Sequence, residues 1–350
     1  MLEGLILSID AMGGDEAPEI VIKGIEYYLK NEGKGHGARF LLHGDEAELT
    51  RWLEKAPLTK ACSEIRHTDK AVAMDQKPSQ ALRKGKGTSM WNCIASVKAG
   101  DANFAVSAGN TGALMAMSKL QLRMKQGVQR PAIAASWPQS EGWCVVLDVG
   151  ANIECDAAQL TEFAVLGEAF YRALHGTQKP SVGLLNVGTE DQKGNDVIRL
   201  AHKRLSESQL GLNYKGYVEG NDISFGDIDV VVTDGFTGNI ALKTAEGTAK
   251  LIGHFFKQAL SGNIWSKFTT MLNSYALMKL KKRIDPRSVN GGVFLGLNGV
   301  VVKSHGGTDA IGYANALAVA VGIGESNFLS EIDRTLQDLH DEDDNIGFIA

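Results

Sequence analysis

Aspartate, asparagine, threonine, serine and glycine gather at the ends of apolar runs in this chain, and the pattern repeats. Val230-Val-Val-Thr breaks off at Asp234-Gly235, passes Phe236, Thr237 and Gly238, and enters a helical pattern at Asn239. Phe104-Ala-Val leads likewise into Ser107-Ala-Gly109-Asn110-Thr111-Gly112. Leu5-Ile-Leu-Ser-Ile leads into Asp10-Ala-Met-Gly13-Gly14-Asp15. Junctions of this composition suit the handling of phosphate. Glycine lets the backbone approach a ligand closely, and unpaired N–H groups at a helix start attract anions. Asn110 and Thr111 have the chemistry to hydrogen-bond a phosphate or a thioester carbonyl, and Asp10 and Asp15 to orient ligand or loop.

Further polar groups follow other apolar runs. Lys303-Ser-His305-Gly-Gly places a cation and an imidazole beside two glycines. Asp148 and Asn152 close one strand-like run, and Asn186 and Glu190 close another, so the four could converge on one cleft. Lys77 and Ser79 precede Arg83-Lys-Gly-Lys-Gly-Thr-Ser89, a basic stretch able to neutralise an anion. That stretch does not match GxxxxGK[ST], so it is no Walker A loop. Each group has a plainer alternative. Asp15, Asn110 or Thr111 would serve as helix caps, and the others as loop-stabilising residues.

Elements that must position these residues are legible as an alternation. Strand patterns occupy 5–9, 39–43, 104–107, 133–136, 143–147, 181–186, 230–233 and 299–303. Helical patterns occupy 20–31, 111–125, 159–174, 196–206 and 240–260. The expected fold is α/β, one domain over 1–350 with the option of two lobes around a cleft. Its sheet is mostly parallel and covered by helices on both faces. Ligands of such sheets sit beyond the carboxyl ends of the strands, where the Gly-rich loops fall. The acidic run at 341–344 reads as a solvated tail. Within 264–284, Trp265, Phe268 and Leu272 recur at helical spacing before Lys281 and Lys282, an amphipathic segment suited to anionic lipid or to a partner subunit.

A net charge of −5 argues against a general nucleic-acid binder, and 40 glycines against 7 prolines suit tight junctions rather than disorder. Four cysteines without CxxC spacing point to a reduced, cytosolic protein with neither disulfides nor a metal site. The N-terminal run, interrupted by Ser8 and Asp10, is expected to be a strand rather than a signal peptide. No run is long and apolar enough to span a bilayer.

In combination and in order, five motifs resemble a known family: Asp10-Ala-Met-Gly-Gly-Asp15, Ser107-Ala-Gly-Asn-Thr-Gly112, Arg130-Pro-Ala132, Asp148-Val-Gly-Ala-Asn152 and Val231-Val-Thr-Asp-Gly-Phe-Thr-Gly-Asn239. Gly291-Gly292 and His305-Gly306 continue the match over nearly the whole chain. The family is that of the bacterial phosphate acyltransferases of phospholipid synthesis (PlsX). Glu16 departs from it, standing where many members carry histidine. The resemblance implies transfer of a fatty acyl group from acyl-[acyl carrier protein] to inorganic phosphate, with no cofactor. It implies a fold like those of isocitrate and isopropylmalate dehydrogenases and of phosphate acetyltransferases. It further implies a cytosolic homodimer, peripherally associated with the membrane, that feeds a membrane glycerol-3-phosphate acyltransferase.

Phosphate needs little activation as a nucleophile but does need a site that holds it beside the thioester. Asn110, Thr111, Thr237 and Asn239 are the candidate donors to the oxyanion, with Asp234 beside them. Lys303 and His305 are the candidates for neutralising phosphate or protonating the leaving thiolate. Gly13, Gly14, Gly109, Gly112, Gly235 and Gly238 would bring the backbone to the ligand. An acidic carrier protein calls for a basic patch, either Arg199, Lys203 and Arg204 or residues 279–283. Three rivals remain open: a dehydrogenase of the isopropylmalate type, a phosphate acetyltransferase using acyl-coenzyme A, and a non-catalytic membrane or carrier-protein adaptor.

Overall fold

The computed structural model describes residues 4–31, 37–261, 275, 277, 285–324, 326 and 328–346. Most of the amphipathic segment expected at 264–284, including Trp265, Phe268, Leu272, Lys281 and Lys282, lies outside the described residues.

The first half builds strands β1 (Ile6–Asp10), β2 (Arg39–Gly44), β3 (Ser63–His67), β4 (Phe104–Ser107), β5 (Ala132–Pro138) and β6 (Trp143–Leu147). With them come helices α1 (Glu19–Asn31), α2 (Glu46–Leu53), α3 (Pro57–Ala61), α4 (Pro78–Lys84), α5 (Ser89–Ala99) and α6 (Thr111–Leu122). The second half adds α7 (Ala157–His175), β7 (Ser181–Leu185), α8 (Asp196–Glu207), β8 (Asn213–Val218), α9 (Asp222–Phe225), β9 (Val230–Val232) and α10 (Gly235–Ser261). After a 3-10 turn (Pro286–Val289) come β10 (Gly292–Leu295), β11 (Val300–Lys303), α11 (Ala310–Gly324) and α12 (Phe328–Ile346).

All strands join one sheet in the order β3-β2-β1-β4-β11-β10-β5-β6-β9-β7-β8. Its central strands are apolar on both faces because helices cover both, and two core clusters result. Alternation along β5 shows the division: Ala132 and Ala134 face one cluster, Ile133, Ala135 and Trp137 the other. The acidic run at 341–344 forms the last turns of α12, not a tail. Ile332, Leu336 and Leu339, spaced four and three residues apart, are buried and seat that helix against α7.

The two flanks of the sheet are parallel within themselves, but three antiparallel pairings separate them: β11 with β10, β10 with β5, and β5 with β6. Strands β1, β4 and β11 therefore end at one edge of the sheet, whereas β6, β7 and β9 end at the other. The Gly-rich loops all follow strand ends, as the sequence suggests, yet they do not leave from the same edge.

Candidate active site

At the edge where β1, β4 and β11 end, the three loops lock together. Ser107 Oγ donates to Asp10 Oδ2 at 2.6 Å, Asp15 N donates to Gly306 O at 3.0 Å, and Ser304 N donates to Ser107 O at 2.9 Å. The glycines are required by this packing. A Cβ at Gly13 would lie 2.4 Å from Asp10 Oδ2 and 2.8 Å from Gly109 N, and one at Gly109 would lie 2.6 Å from Met90 Cε. Gly14 adds a φ of +120°. Gly13 N bonds Asp10 O and Gly109 N bonds Ser107 Oγ, so these two amides hold the loops rather than face a ligand. Asp10 is fully buried, and burial pushes its carboxyl up against the hydrogen bond from Ser107.

Asn110 caps α6. Its Oδ1 accepts from Ala113 N at 2.9 Å, and its Nδ2 donates to Met74 O and Gln76 O. The amide sequence reasoning proposed as an oxyanion donor is thus fully engaged in joining α6 to the segment that carries Lys77. Pro78 closes over Gly112, whose Cβ would stand 2.6 Å from Pro78 Cγ. Thr111, Lys77 and Ser79 remain exposed around this helix start.

Lys303 ends β11 and is largely buried, with Nζ donating to Ser304 O. Desolvation lowers its ammonium to about 8, while Asp10 and Asp15 pull the other way. No carboxylate among the described residues lies within ion-pair distance of it. It is a cation held ready, and near-neutral titration follows. For the free protein, kcat/KM for phosphate should fall as pH rises through about 8, because the charged ammonium is the form that attracts the anion. A profile flat to pH 9.5, with Lys303→Arg giving the same curve, would dismiss Lys303 as the titrating group.

His305 follows on the same loop. Its N–H bonds Asn290 Oδ1 at 2.9 Å, and Asn290 Nδ2 reaches Ser304 Oγ, Thr308 Oγ1 and Gly312 O. The imidazole meets two residues absent from the sequence-based candidates. Lys243 Nζ stands 2.6 Å from His305 Nε2 and 2.8 Å from Glu246 Oε2. A lysine ammonium donating to Nε2 assigns the ring proton to Nδ1. Desolvation and then Lys243 lower the His305 pKa.

At the opposite edge, Asp148 is the centre of a second cluster. Its Oδ1 accepts from the N–H groups of Ile133, Gly150 and Ala151, and its Oδ2 accepts from Asn152 N at 2.7 Å and Asn152 Nδ2 at 2.9 Å. Burial pushes this carboxyl up, yet five donors on two oxygens leave no acceptor for a carboxyl proton, and the group is a carboxylate. Helix α10 begins directly on this loop. Gly235 N bonds Asn152 O at 2.8 Å, and a Cβ at Gly238 would lie 2.0 Å from Asp148 O. Asp234 caps the helix, accepting from Thr237 N and Thr237 Oγ1. Asp234, Gly235, Thr237 and Gly238 are therefore occupied with seating α10.

Asn186 and Glu190 do not join either cluster. Asn186 is buried at the end of β7 and donates to Gly188 O, inside a loop closed by Lys193 N on Glu190 O. Asp148 with Asn152 and Asn186 with Glu190 each stabilise their own turn, at the same edge of the sheet where β6 and β7 end on either side of β9.

Helix α10 links the two edges. Asn239, Lys243 and Glu246 are spaced four and three residues apart, so they share one face of the helix. Asn239 sits over Gly150, whose Cβ would be 3.0 Å from Asn239 Nδ2. Its amide is exposed and makes no hydrogen bond among the described residues. About one turn, roughly 6 Å, further along the helix Lys243 meets His305. The face thus carries an unengaged amide one turn from the Lys243–His305 pair, and Lys243 in turn is close enough to Lys303 to lower its pKa. Such a set can hold a dianion and donate to a developing oxyanion. Among the described residues no three His, Cys, Asp or Glu side chains are grouped to hold a metal ion.

A family model described as "Fatty acid synthesis protein" matches residues 5–331. The phosphate acyltransferase of Caulobacter vibrioides is 54% identical over 339 residues, covering 97% of this chain and 93% of that one. The chain belongs to the phosphate acyltransferase family. The family's protein from Maricaulis maris is also 54% identical, over 93% of each chain. Among solved structures, a phosphotransacetylase from Streptococcus pyogenes superposes with a TM-score of 0.63 at 18% identity, over 92% of this chain and 95% of that one. At that identity the likeness shows the fold alone, an α/β arrangement shared with phosphotransacetylases, as the motifs in the sequence imply.

Proposed function

We propose that the protein transfers a fatty acyl group from the thioester of an acyl-[acyl carrier protein] to inorganic phosphate. The products are acyl phosphate and the free carrier thiol. The observation that carries this reading is the 54% identity to the Caulobacter vibrioides phosphate acyltransferase over 97% of the chain. The geometry agrees with the chemistry. Phosphate, already part dianion near neutral pH, lies between Lys303, Lys243 and the start of α6. One phosphate oxygen attacks the thioester carbon. The carbonyl becomes an oxyanion that the Asn239 amide meets, the C–S bond breaks, and the thiolate takes the Nδ1 proton of His305 as the Lys243 ammonium protonates Nε2, so that the imidazole stays neutral. No covalent enzyme intermediate is needed.

In this reading the carrier protein docks at the cationic face of α8, where Arg199 and Lys203 stand one turn apart, or on residues 279–283. The protein is a cytosolic homodimer that touches the membrane peripherally and hands acyl phosphate to a membrane glycerol-3-phosphate acyltransferase. Exposure of Phe236, Ile240, Leu251 and Phe255 on α10 favours a partner subunit. No helix among the described residues is long and apolar enough to cross a membrane.

The test is direct. Purified protein is mixed with hexadecanoyl-carrier protein and phosphate, and acyl phosphate is trapped with hydroxylamine. Phosphate-dependent hydroxamate, with one carrier thiol released per product, is the expected result. Hydroxamate formed equally well from the acyl-coenzyme A ester would move the donor assignment to coenzyme A, and a folded protein that forms none would end the acyl-transfer reading.

A further inference from the structure

Beside the Lys243–His305 pair lies an apolar slot. It is bounded by Ser136, Trp137 and Pro138 at the end of β5, by Leu242, Ala245, Glu246 and Ala249 on α10, and by Asp285 and Val289 at the 3-10 turn. The cavity is about 90 Å³, roughly three water volumes. Its walls are fixed by the core. Trp137 is buried, with Nε1 donating to Ser224 Oγ at 3.2 Å, and Leu242 and Ala245 pack on the same core cluster.

Two connections tie this slot to the reacting centre. Glu246 lines it and also accepts from Lys243, so the slot's polar rim is the same carboxylate that positions the cation. Val289 is followed by Asn290, which holds the His305 backbone N–H. Beyond the slot, the same side of α10 stays apolar. Leu242, Ala245, Ala249, Ile252 and Phe256 recur at three- and four-residue spacing and so lie on one stripe of the helix. Ile252 and Phe256 leave 43% and 44% of their surface exposed. From Leu242 to Phe256 the stripe rises by fourteen residue steps, about 21 Å, comparable with the reach of a long fatty acyl chain.

We infer that this slot and stripe receive the acyl chain of the donor, with the carbonyl at the Lys243–His305 rim and the chain running along α10. The inference rests on the acyl-transfer reading and adds the residues that sort chain length. A ligand with one polar end and a long apolar tail matches a lane with Glu246 at its rim and an apolar stripe along α10; Asp285, the other carboxylate of the lining, is taken up by Arg287. Ala245 and Ala249 set its width, since their small side chains leave the cavity open between α10 and the turn.

The test fills the slot from two walls. Ala249→Phe acts from the helix and Val289→Phe from the turn, each checked for native melting and compared on butanoyl- and hexadecanoyl-carrier protein. Both folded variants should lose at least tenfold in kcat/KM for the hexadecanoyl donor while holding the butanoyl rate within about twofold. A folded variant with the wild-type chain-length profile, or with equal loss on both donors, overturns the inference. If one substitution prevents folding, the other decides. Failure of the acyl-transfer reading is separable, because then the unaltered protein forms no hydroxamate from either donor.

Discussion

Asn239→Ala should lower kcat by about 10²–10³-fold while leaving the folded protein as stable as the original. The magnitude is that of removing one donor placed at a developing oxyanion. The separation of the two effects follows from the geometry. The Asn239 side chain is exposed, forms no hydrogen bond among the described residues, and lies on the face of α10 that also presents Lys243. A side chain engaged in holding the fold would behave otherwise, as Asn110 illustrates with its three bonds to α6 and to the 74–76 backbone. Measuring kcat by hydroxamate formation and stability by urea denaturation distinguishes them. Turnover within threefold of the original would remove Asn239 from the site, and KM rising with kcat unchanged would make it a ground-state binding residue.

How far the sequence foretells the fold depends on where each strand lies. The eight strands expected from apolar runs correspond to β1, β2, β4, β5, β6, β7, β9 and β11, all inside the sheet. Those it does not reveal are β3, β8 and β10. Strands β3 and β8 are the two edges, and their polar sequences, Ser-Glu-Ile-Arg-His and Asn-Tyr-Lys-Gly-Tyr-Val, suit strands with one side open to water. Strand β10 is a Val-Phe-Leu run enclosed by Gly291-Gly292 and Gly296, a setting that reads as a loop rather than a strand. The direction reversal at β10 and β5 is invisible locally, because pairing sense depends on long-range neighbours, and it sends the Gly-rich loops to two edges.

The site is legible in a different way. The glycine-rich signatures mark where backbone must approach backbone: Gly13 against Gly109, and Gly235 and Gly238 against the 148–152 loop. Spacing alone cannot tell such packing from an anion cradle, since both demand the absence of Cβ. Lys243 and Glu246 carry no motif, being ordinary residues inside a helix. The available signal is their position four and seven residues after Asn239, which places them on its face once the helix start is known.

Asp148→Asn should cost about 2–6 kcal/mol of stability, the range for leaving two buried N–H groups without an acceptor. The carboxylate oxygens accept five N–H bonds, and an amide offers one acceptor and turns two donors toward the remaining N–H groups. At least two buried amides lose their acceptor, each costing about 1–3 kcal/mol. The loop so loosened is the floor on which α10 begins, through Gly235 N on Asn152 O and the close approach of Gly238 to Asp148 O. Stability and catalysis should therefore fall together in the folded fraction. A floor displaced by an ångström displaces Asn239 directly and Lys243 one turn later, and catalytic geometry is sensitive on that scale. Equilibrium urea unfolding read beside hydroxamate turnover gives both numbers. A loss of less than 1 kcal/mol would mean that the five bonds are replaceable, and the expected loss of stability with normal kcat in the folded fraction would mean that α10 keeps its register without this floor.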